Sequence, residues 1–147
     1  LAYHLNLPVS NALVRTNESG RESSLSRNEY YIPGSLLQAD IKTGVPATWG
    51  MPSVADIYFD QSPVFALGEN AEAMGIKSLA WFSTDKPLRS GWALGQEFLE
   101  GGVVALEAPV GKGRLVVFGP NIAFRSQPHG LFKLLFNQLY MSEGTKK

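Results

Sequence analysis

Two apolar runs separated by a glycine-rich turn constrain the fold of this chain more than any other stretch. The runs cover residues 103–110 and 114–118, with Gly111-Lys112-Gly113 between them. Apolar runs joined by a short glycine turn are typical of a β-hairpin. The second run is apolar from Leu115 onward, which predicts a strand buried on both faces. Glu107 lies inside the first run, where a charge is costly unless it is partnered, so we expect it at an edge or rim.

An apolar helix is predicted after the hairpin. Five large side chains recur at helical spacing and predict the buried face: Leu131, Phe132, Leu135, Phe136 and Leu139. Lys133 and Asn137 mark the solvent side. We expect Ser126 to cap the helix and Pro128 to lie in its first turn, where a missing N–H costs nothing. Residues 141–147 are expected to form a frayed tail.

Earlier strands are predicted from apolar runs bounded by turn residues. They cover residues 30–41, 55–59, 63–67 and 76–82. Pro33-Gly34 interrupts the first run, which predicts an edge or bulged strand. Asp60-Gln61-Ser62 joins the second and third runs, which suggests a tight hairpin or a kinked strand.

The length of the chain predicts a single domain over residues 1–147. Residues 1–7 resemble the end of a helix that stops before Pro8, and its start is expected upstream. Residues 11–28 are polar, with few apolar positions. We expect them to form an exposed, flexible loop.

Composition removes several classes of function. Thirteen basic and thirteen acidic residues cancel, so no charge excess points to nucleic acid. No apolar run approaches the roughly 20 residues that span a bilayer. The chain has no cysteine, and therefore no thiolate nucleophile or cysteine zinc ligand. Neither His4 nor His129 has a second His or a Glu at metal-binding spacing in the sequence, so we expect no metal site within this chain. Gly34-Ser35 and Ser90-Gly91 lack the G-x-S-x-G frame of a serine nucleophile, and we expect no catalytic residue.

A candidate ligand site follows from the directions of the strands. If strand 76–82 pairs antiparallel with 103–110, the segments 83–102 and 119–130 leave the sheet at the same end. Six polar or aromatic residues would then share one rim: Arg89, Trp92, Gln96, Arg125, Gln127 and His129. Arginine offers a planar fork to carboxylates and tryptophan a face for stacking. The rim could bind a carboxylate, a sugar or a peptide terminus, or its residues could simply tie two loops together.

A family resemblance rests on several stretches of the chain. They are LAYHLNLPVSNAL at the start, YYIPGSLLQADI, TWGMP, IYFDQSPVF, and the long run from Pro87 to Asn137. Together they resemble the C-terminal region of bacterial zinc carboxypeptidases, which are carboxypeptidase A-like metallopeptidases. That region is similar to class I glutamine amidotransferase-like domains. The resemblance therefore implies a three-layer, flavodoxin-like α/β fold, of which this chain would be the C-terminal half.

The resemblance also implies a function for the chain. It would be a non-catalytic accessory domain that supports folding, assembly or substrate positioning for an upstream peptidase domain of the same polypeptide. Zinc is expected in that upstream domain, because no position here matches the His-x-x-Glu ligands. Amidotransferase chemistry is not supported, because the Cys nucleophile is missing. A periplasmic or secreted location is implied, and a homo-oligomer is left open. The alternative is a peptide- or carbohydrate-binding module that uses the 83–102 and 119–130 loops.

Overall fold

The computed structural model describes residues 3–17 and 19–143. Ten strands lie within them: β1 (Val9–Asn11), β2 (Val14–Thr16), β3 (Glu22–Ser24), β4 (Ser35–Ile41), β5 (Val54–Phe59), β6 (Phe65–Leu67), β7 (Lys77–Trp81), β8 (Leu88–Ser90), β9 (Val103–Val110) and β10 (Gly113–Phe118). One α-helix, α1 (Phe132–Glu143), follows the last strand. Short 3₁₀ turns cover Tyr3–Leu5, Pro46–Thr48, Gln96–Leu99, Phe124–Ser126 and His129–Leu131.

The main sheet is antiparallel in all of its described pairings. Its strand order is β1-β6-β9-β7-β4-β5, with β10 also beside β9 and β8 also beside β4. The chain is thus a mixed α/β protein with the predicted antiparallel hairpin and C-terminal helix. A flavodoxin-like arrangement is not confirmed. Such folds need parallel strands joined by crossover helices, whereas the described residues show antiparallel pairs and one α-helix.

The β9–β10 hairpin is confirmed. Val110 pairs with Gly113 across a two-residue turn, and Gly111 has a φ of 57°. A positive φ at the first turn position suits glycine and matches the strand twist. The expectation that the second strand is buried on both faces is wrong. Within residues 3–17 and 19–143, β10 pairs only with β9, and its residues are exposed or half-buried.

One prediction about the earlier strands is confirmed in part and another is wrong. The strand after Pro33-Gly34 was predicted to be an edge or bulged strand. It is not at an edge, because β4 has β5 on one side and β7 and β8 on the other. The bulged alternative agrees with the structure, since the pairing of β4 with β8 shifts register between Leu36 and Leu37. The runs around Asp60 form neither a hairpin nor one kinked strand. β5 pairs with β4, whereas β6 pairs with β1 and β9 near the other end of the sheet. The turn residues were identified correctly, but they do not specify which strand each neighbour pairs with.

The helix begins later than predicted and presents a different face to the sheet. Ser126 makes no capping hydrogen bond and lies in a separate 3₁₀ turn, and α1 starts at Phe132. Leu131 and Leu134 are fully buried, whereas Phe136 and Leu139 are about half exposed. Asn137, expected on the solvent side, is half-buried, and its amide donates to the carbonyl oxygens of Ala47 and Trp49.

Apolar side chains pack on both faces of the sheet. Leu134 of α1 belongs to the larger cluster, together with Val116 and Phe118 at its margin. Val117, between those two, packs on a second cluster built around Leu106. Since successive side chains of a strand point to opposite faces, the two clusters lie on opposite sides of the sheet.

Glu107 is correctly predicted to need partners but wrongly predicted to lie at an edge. It sits on β9 between Lys77 and Val116 of the neighbouring strands. Its carboxylate lies 3.7 Å from the Lys77 ammonium and 3.0 Å from the Arg114 guanidinium. The charge is therefore compensated within the sheet.

The N-terminal excursion is partly ordered. β2 and β3 pair as a separate two-stranded antiparallel sheet within the stretch predicted to be a flexible loop. Both strands are largely exposed, as expected for a polar segment. Of the predicted tail, residues 141–143 belong to α1, and residues 144–147 lie outside the described part of the chain.

Candidate functional site

The strand directions that suggested a rim are confirmed. β7 is antiparallel to β9, and β9 is antiparallel to β10. The segments 83–102 and 119–130 therefore leave the sheet at the same end, and each carries three of the six predicted site residues.

Arg89 reaches across the sheet to the strand β5. It lies on β8, which pairs with one edge of β4, while β5 pairs with the other edge. Its Nε lies 3.4 Å from Oδ1 of Asp56 on β5, and both side chains are more than half exposed. Gln96 contacts the same 83–102 segment to which it belongs, because its Oε1 accepts a hydrogen bond from the Leu88 amide at 3.1 Å.

Trp92 is positioned through its backbone by the buried Ser35. The Ser35 hydroxyl accepts a hydrogen bond from the Trp92 amide at 3.0 Å and lies 2.7 Å from the Trp92 carbonyl oxygen. Gly91 next to it has a φ of 104°, and a side chain there would collide with Ser35. The backbone is thus held tightly while the indole remains 51% exposed.

Arg125 lies on a pair of stacked aromatic rings. The Phe124 ring stacks on Tyr58 of β5, with centroids 4.2 Å apart and planes 7° from parallel. The Arg125 guanidinium carbon is 5.1 Å from the centroid of Phe124. Arg125 and Ser126 have φ values of 47° and 55°, a left-handed conformation that costs energy in residues with side chains. The guanidinium that lies beside the rings is therefore carried by a backbone segment in this uncommon conformation.

Gln127 and His129 have local partners. The Gln127 carbonyl oxygen accepts a hydrogen bond from the His129 amide at 2.8 Å. The His129 ring contacts Phe132 at the start of α1, with centroids 5.3 Å apart. Across the described residues, no hydrogen bond, ion pair or ring contact joins the 89–96 group directly to the 125–129 group. Their action on one ligand stays a prediction.

The strand β5 connects the two groups indirectly. Asp56 contacts Arg89, and Tyr58 carries the Phe124–Arg125 stack. The two β5 residues are two positions apart, so they share one face of the strand and their Cα atoms lie about 7 Å apart. We call Asp56, Tyr58, Arg89, Phe124 and Arg125 the β5 surface. It contains two guanidinium groups, one carboxylate and a stacked aromatic pair.

Sequence reasoning missed three members of the β5 surface. None of Asp56, Tyr58 and Phe124 was singled out from the sequence. One signal was available: Asp56 and Tyr58 alternate with Ile57 and Phe59, which is the pattern of a strand with one face buried. That pattern identifies the exposed face but not its partners.

Other features of the molecule lie apart from the β5 surface. Two cavities of about 490 and 930 Å³ are lined by none of the six predicted residues. Among residues 3–17 and 19–143, no three His, Asp or Glu side chains are grouped so that they could hold a metal ion. No helix in the same ranges has the length and apolarity needed to cross a membrane.

Comparison with known proteins adds no relative. No protein-family model, no curated protein and no solved structure matches this chain.

Proposed function

We propose that this chain is a non-catalytic accessory domain of a bacterial zinc carboxypeptidase, and that it positions peptide substrate through the β5 surface. The observation that supports binding is that both guanidinium groups are linked to one face of β5: Arg89 contacts Asp56, and Arg125 lies on the Phe124 ring that stacks on Tyr58. A guanidinium recognises a carboxylate through two parallel hydrogen bonds. The ligand we propose is a peptide with a free C-terminal carboxylate.

Both guanidinium groups are available to such a ligand. Within the described residues Arg125 has a ring contact but no ion pair. Arg89 is paired with Asp56, but both side chains are more than half exposed. Exposed ion pairs contribute only about 0–1 kcal/mol, so a ligand carboxylate can compete with Asp56.

A carbohydrate is the second candidate, and Trp92 favours it. Its indole is half exposed and its backbone is fixed by Ser35. An exposed indole on a fixed backbone offers a face for stacking. The faces of Tyr58 and Phe124 are less suitable, because they cover each other and Arg125 covers Phe124.

The remaining features of the parent protein are proposed from the resemblance alone. They are an upstream peptidase domain in the same polypeptide, zinc bound there, and a periplasmic or secreted location. Assembly into a homo-oligomer belongs with them. A flavodoxin-like core would need parallel strands supplied by a longer polypeptide, because the described strands pair antiparallel.

The proposal is tested by calorimetric titration with a peptide that has a free C-terminus and with the same peptide amidated. Hydrogen bonds to charged groups contribute about 1.5–3 kcal/mol, so Arg125→Ala should weaken binding of the free acid by roughly ten- to a hundredfold. Arg89→Ala should act in the same direction. The amidated peptide should bind the unsubstituted chain weakly.

Arg21→Ala provides the matched control, because Arg21 is exposed beside the separate β2–β3 sheet. It should leave binding unchanged. Equal binding of the acid and the amide, or equal loss in all three variants, would refute carboxylate recognition. Binding of an oligosaccharide that is lost in Trp92→Ala but retained in Arg125→Ala would support the carbohydrate alternative instead.

A further inference from the structure

The outer edge of β10 presents backbone groups without partners in the described part of the chain. Val110 and Gly113 close a two-residue turn, and the Gly119 amide donates to the Val104 carbonyl oxygen at 2.8 Å. Because hydrogen-bonded pairs alternate along an antiparallel ladder, Leu115 and Val117 also point their backbone groups toward β9. The backbone N–H and C=O groups of Arg114, Val116 and Phe118 therefore point away from β9.

This edge lacks the usual protection against pairing with another chain. Natural edge strands are commonly blunted by charges, proline or bulges. β10 has one charge, at Arg114, and that side chain is turned to Glu107 and Met141. Residues 115–118 are apolar, and the β10 register is regular. Such an edge can accept a further strand.

An apolar cavity of about 490 Å³ lies beside the same strand. Leu115 and Val117 of β10 line one side together with Leu106, and β1 and residues 61–65 form the other. The cavity exists because two strands, β6 and β10, pair with different parts of the same edge of β9. β6 pairs with it only at Val103, and β10 pairs with it from Ala105 onward. The two strands diverge from there.

We propose that β10 binds an extended peptide as an additional strand, and that alternate side chains of the peptide occupy this cavity. An added strand lies about 4.8 Å from its neighbour and directs every second side chain to one face of the sheet. On the face of Leu115 and Val117, those side chains would meet the cavity. Strand addition of this kind takes affinity from the backbone and specificity from side-chain pockets.

The residues that line the cavity determine which side chains of a peptide can occupy it. Among the described residues that line the cavity, none is charged, and the polar ones are Ser10, Asn11, Gln61 and Ser62. Uncharged, branched apolar side chains at every second position suit it, whereas a charge there would be desolvated without a partner. This site is separate from the β5 surface and does not depend on the function proposed for it.

Amide hydrogen exchange on the full chain tests the proposal. In the free protein, the amides of Arg114, Val116 and Phe118 should exchange fast, and those of Leu115 and Val117 slowly. The probe is a capped heptapeptide of alternating valine and threonine with terminal lysines. At millimolar concentration the peptide should slow hydrogen exchange at the three outward amides at least about tenfold, since each amide gains a hydrogen bond to the added strand.

A matched pair of nearly isosteric variants tests the cavity. Val117→Thr places a hydroxyl in the lining and should weaken peptide binding about tenfold, because the hydroxyl loses water without gaining a partner. Val110→Thr, at the far end of β9, lies outside the lining and should bind normally.

Three outcomes would overturn the proposal. The first is unchanged exchange at the outward amides with peptide present, and the second is equal binding by the two variants. The third is protection that rises with protein concentration in the absence of peptide, since the edge would then pair with a second copy of the chain.

Discussion

Replacing two leucines of α1 by alanine tests which face of the helix supports the fold. Leu134 is 1% exposed and lies in the larger core cluster, whereas Leu139 is 52% exposed. The sequence pattern included Leu139 in the buried face and omitted Leu134. The two substitutions remove the same atoms from the same helix, so helix propensity cancels between them.

The expected magnitudes differ widely. Leu134→Ala removes buried methyl groups and leaves a cavity, which costs about 2–5 kcal/mol. Leu139→Ala removes a side chain that is already half in water and leaves no enclosed cavity. Its loss should stay below about 1 kcal/mol.

Urea unfolding, followed by circular dichroism, measures the difference. For slopes of about 1–3 kcal/mol per molar urea, Leu134→Ala should lower the midpoint by roughly 1 M or more, and Leu139→Ala by a few tenths. Equal shifts, or a larger shift for Leu139→Ala, would refute the helix orientation described here. If the dependence of the free energy of unfolding on urea concentration changes in only one variant, the free energies in water are compared instead of the midpoints.

Two further predictions concern the backbone and a buried hydroxyl. Gly119→Ala should destabilise the fold by about 1–3 kcal/mol in thermal unfolding, because the new methyl group would meet the backbone oxygen of Pro63. Gly130→Ala should not destabilise the fold, because no atom lies within 4 Å of the added methyl group. Equal destabilisation by the two substitutions would contradict the close approach of Gly119 to Pro63. Burial raises the pKa of Tyr30, whose hydroxyl has no partner among the described residues. Stability should therefore fall as the pH rises above the ordinary tyrosine value of about 10, because only the unfolded chain ionises freely. Tyr30→Phe should remove that decline and raise the free energy of unfolding by about 1 kcal/mol at neutral pH. The prediction is refuted if the stability of Tyr30→Phe falls at alkaline pH as much as that of the unsubstituted chain.

The part of the fold that follows from local signals was predictable. Gly111-Lys112-Gly113 between two apolar runs determines both the turn and the pairing of its flanking strands. The pairing of β7 with β9 follows from the order of the strands. Asp60-Gln61-Ser62 is an equally clear turn, yet β5 and β6 pair with different strands. Long-range pairing depends on which surfaces can be buried together, and a local window does not contain that information.

The candidate site shows the same limit. The arginines on the two loops were identifiable by residue type, and strand directions placed both loops at one end of the sheet. Asp56 and Tyr58 were not identifiable, because their role depends on a side chain that crosses β4 and a ring that arrives from the 119–130 loop. Position within the sheet, and not residue type, gives them their partners.

The shared edge of β9 also has a consequence for the order of folding. The β9–β10 hairpin closes across two residues and should form within about 1–10 μs. The β1–β6 ladder joins Val9 to Leu67, far apart in the chain, and has only three residue pairs. Ladders between distant segments form slowly and, when short, open easily. We therefore expect β10 to be in place before β1 arrives, so that the cleft between them is completed last and opens first.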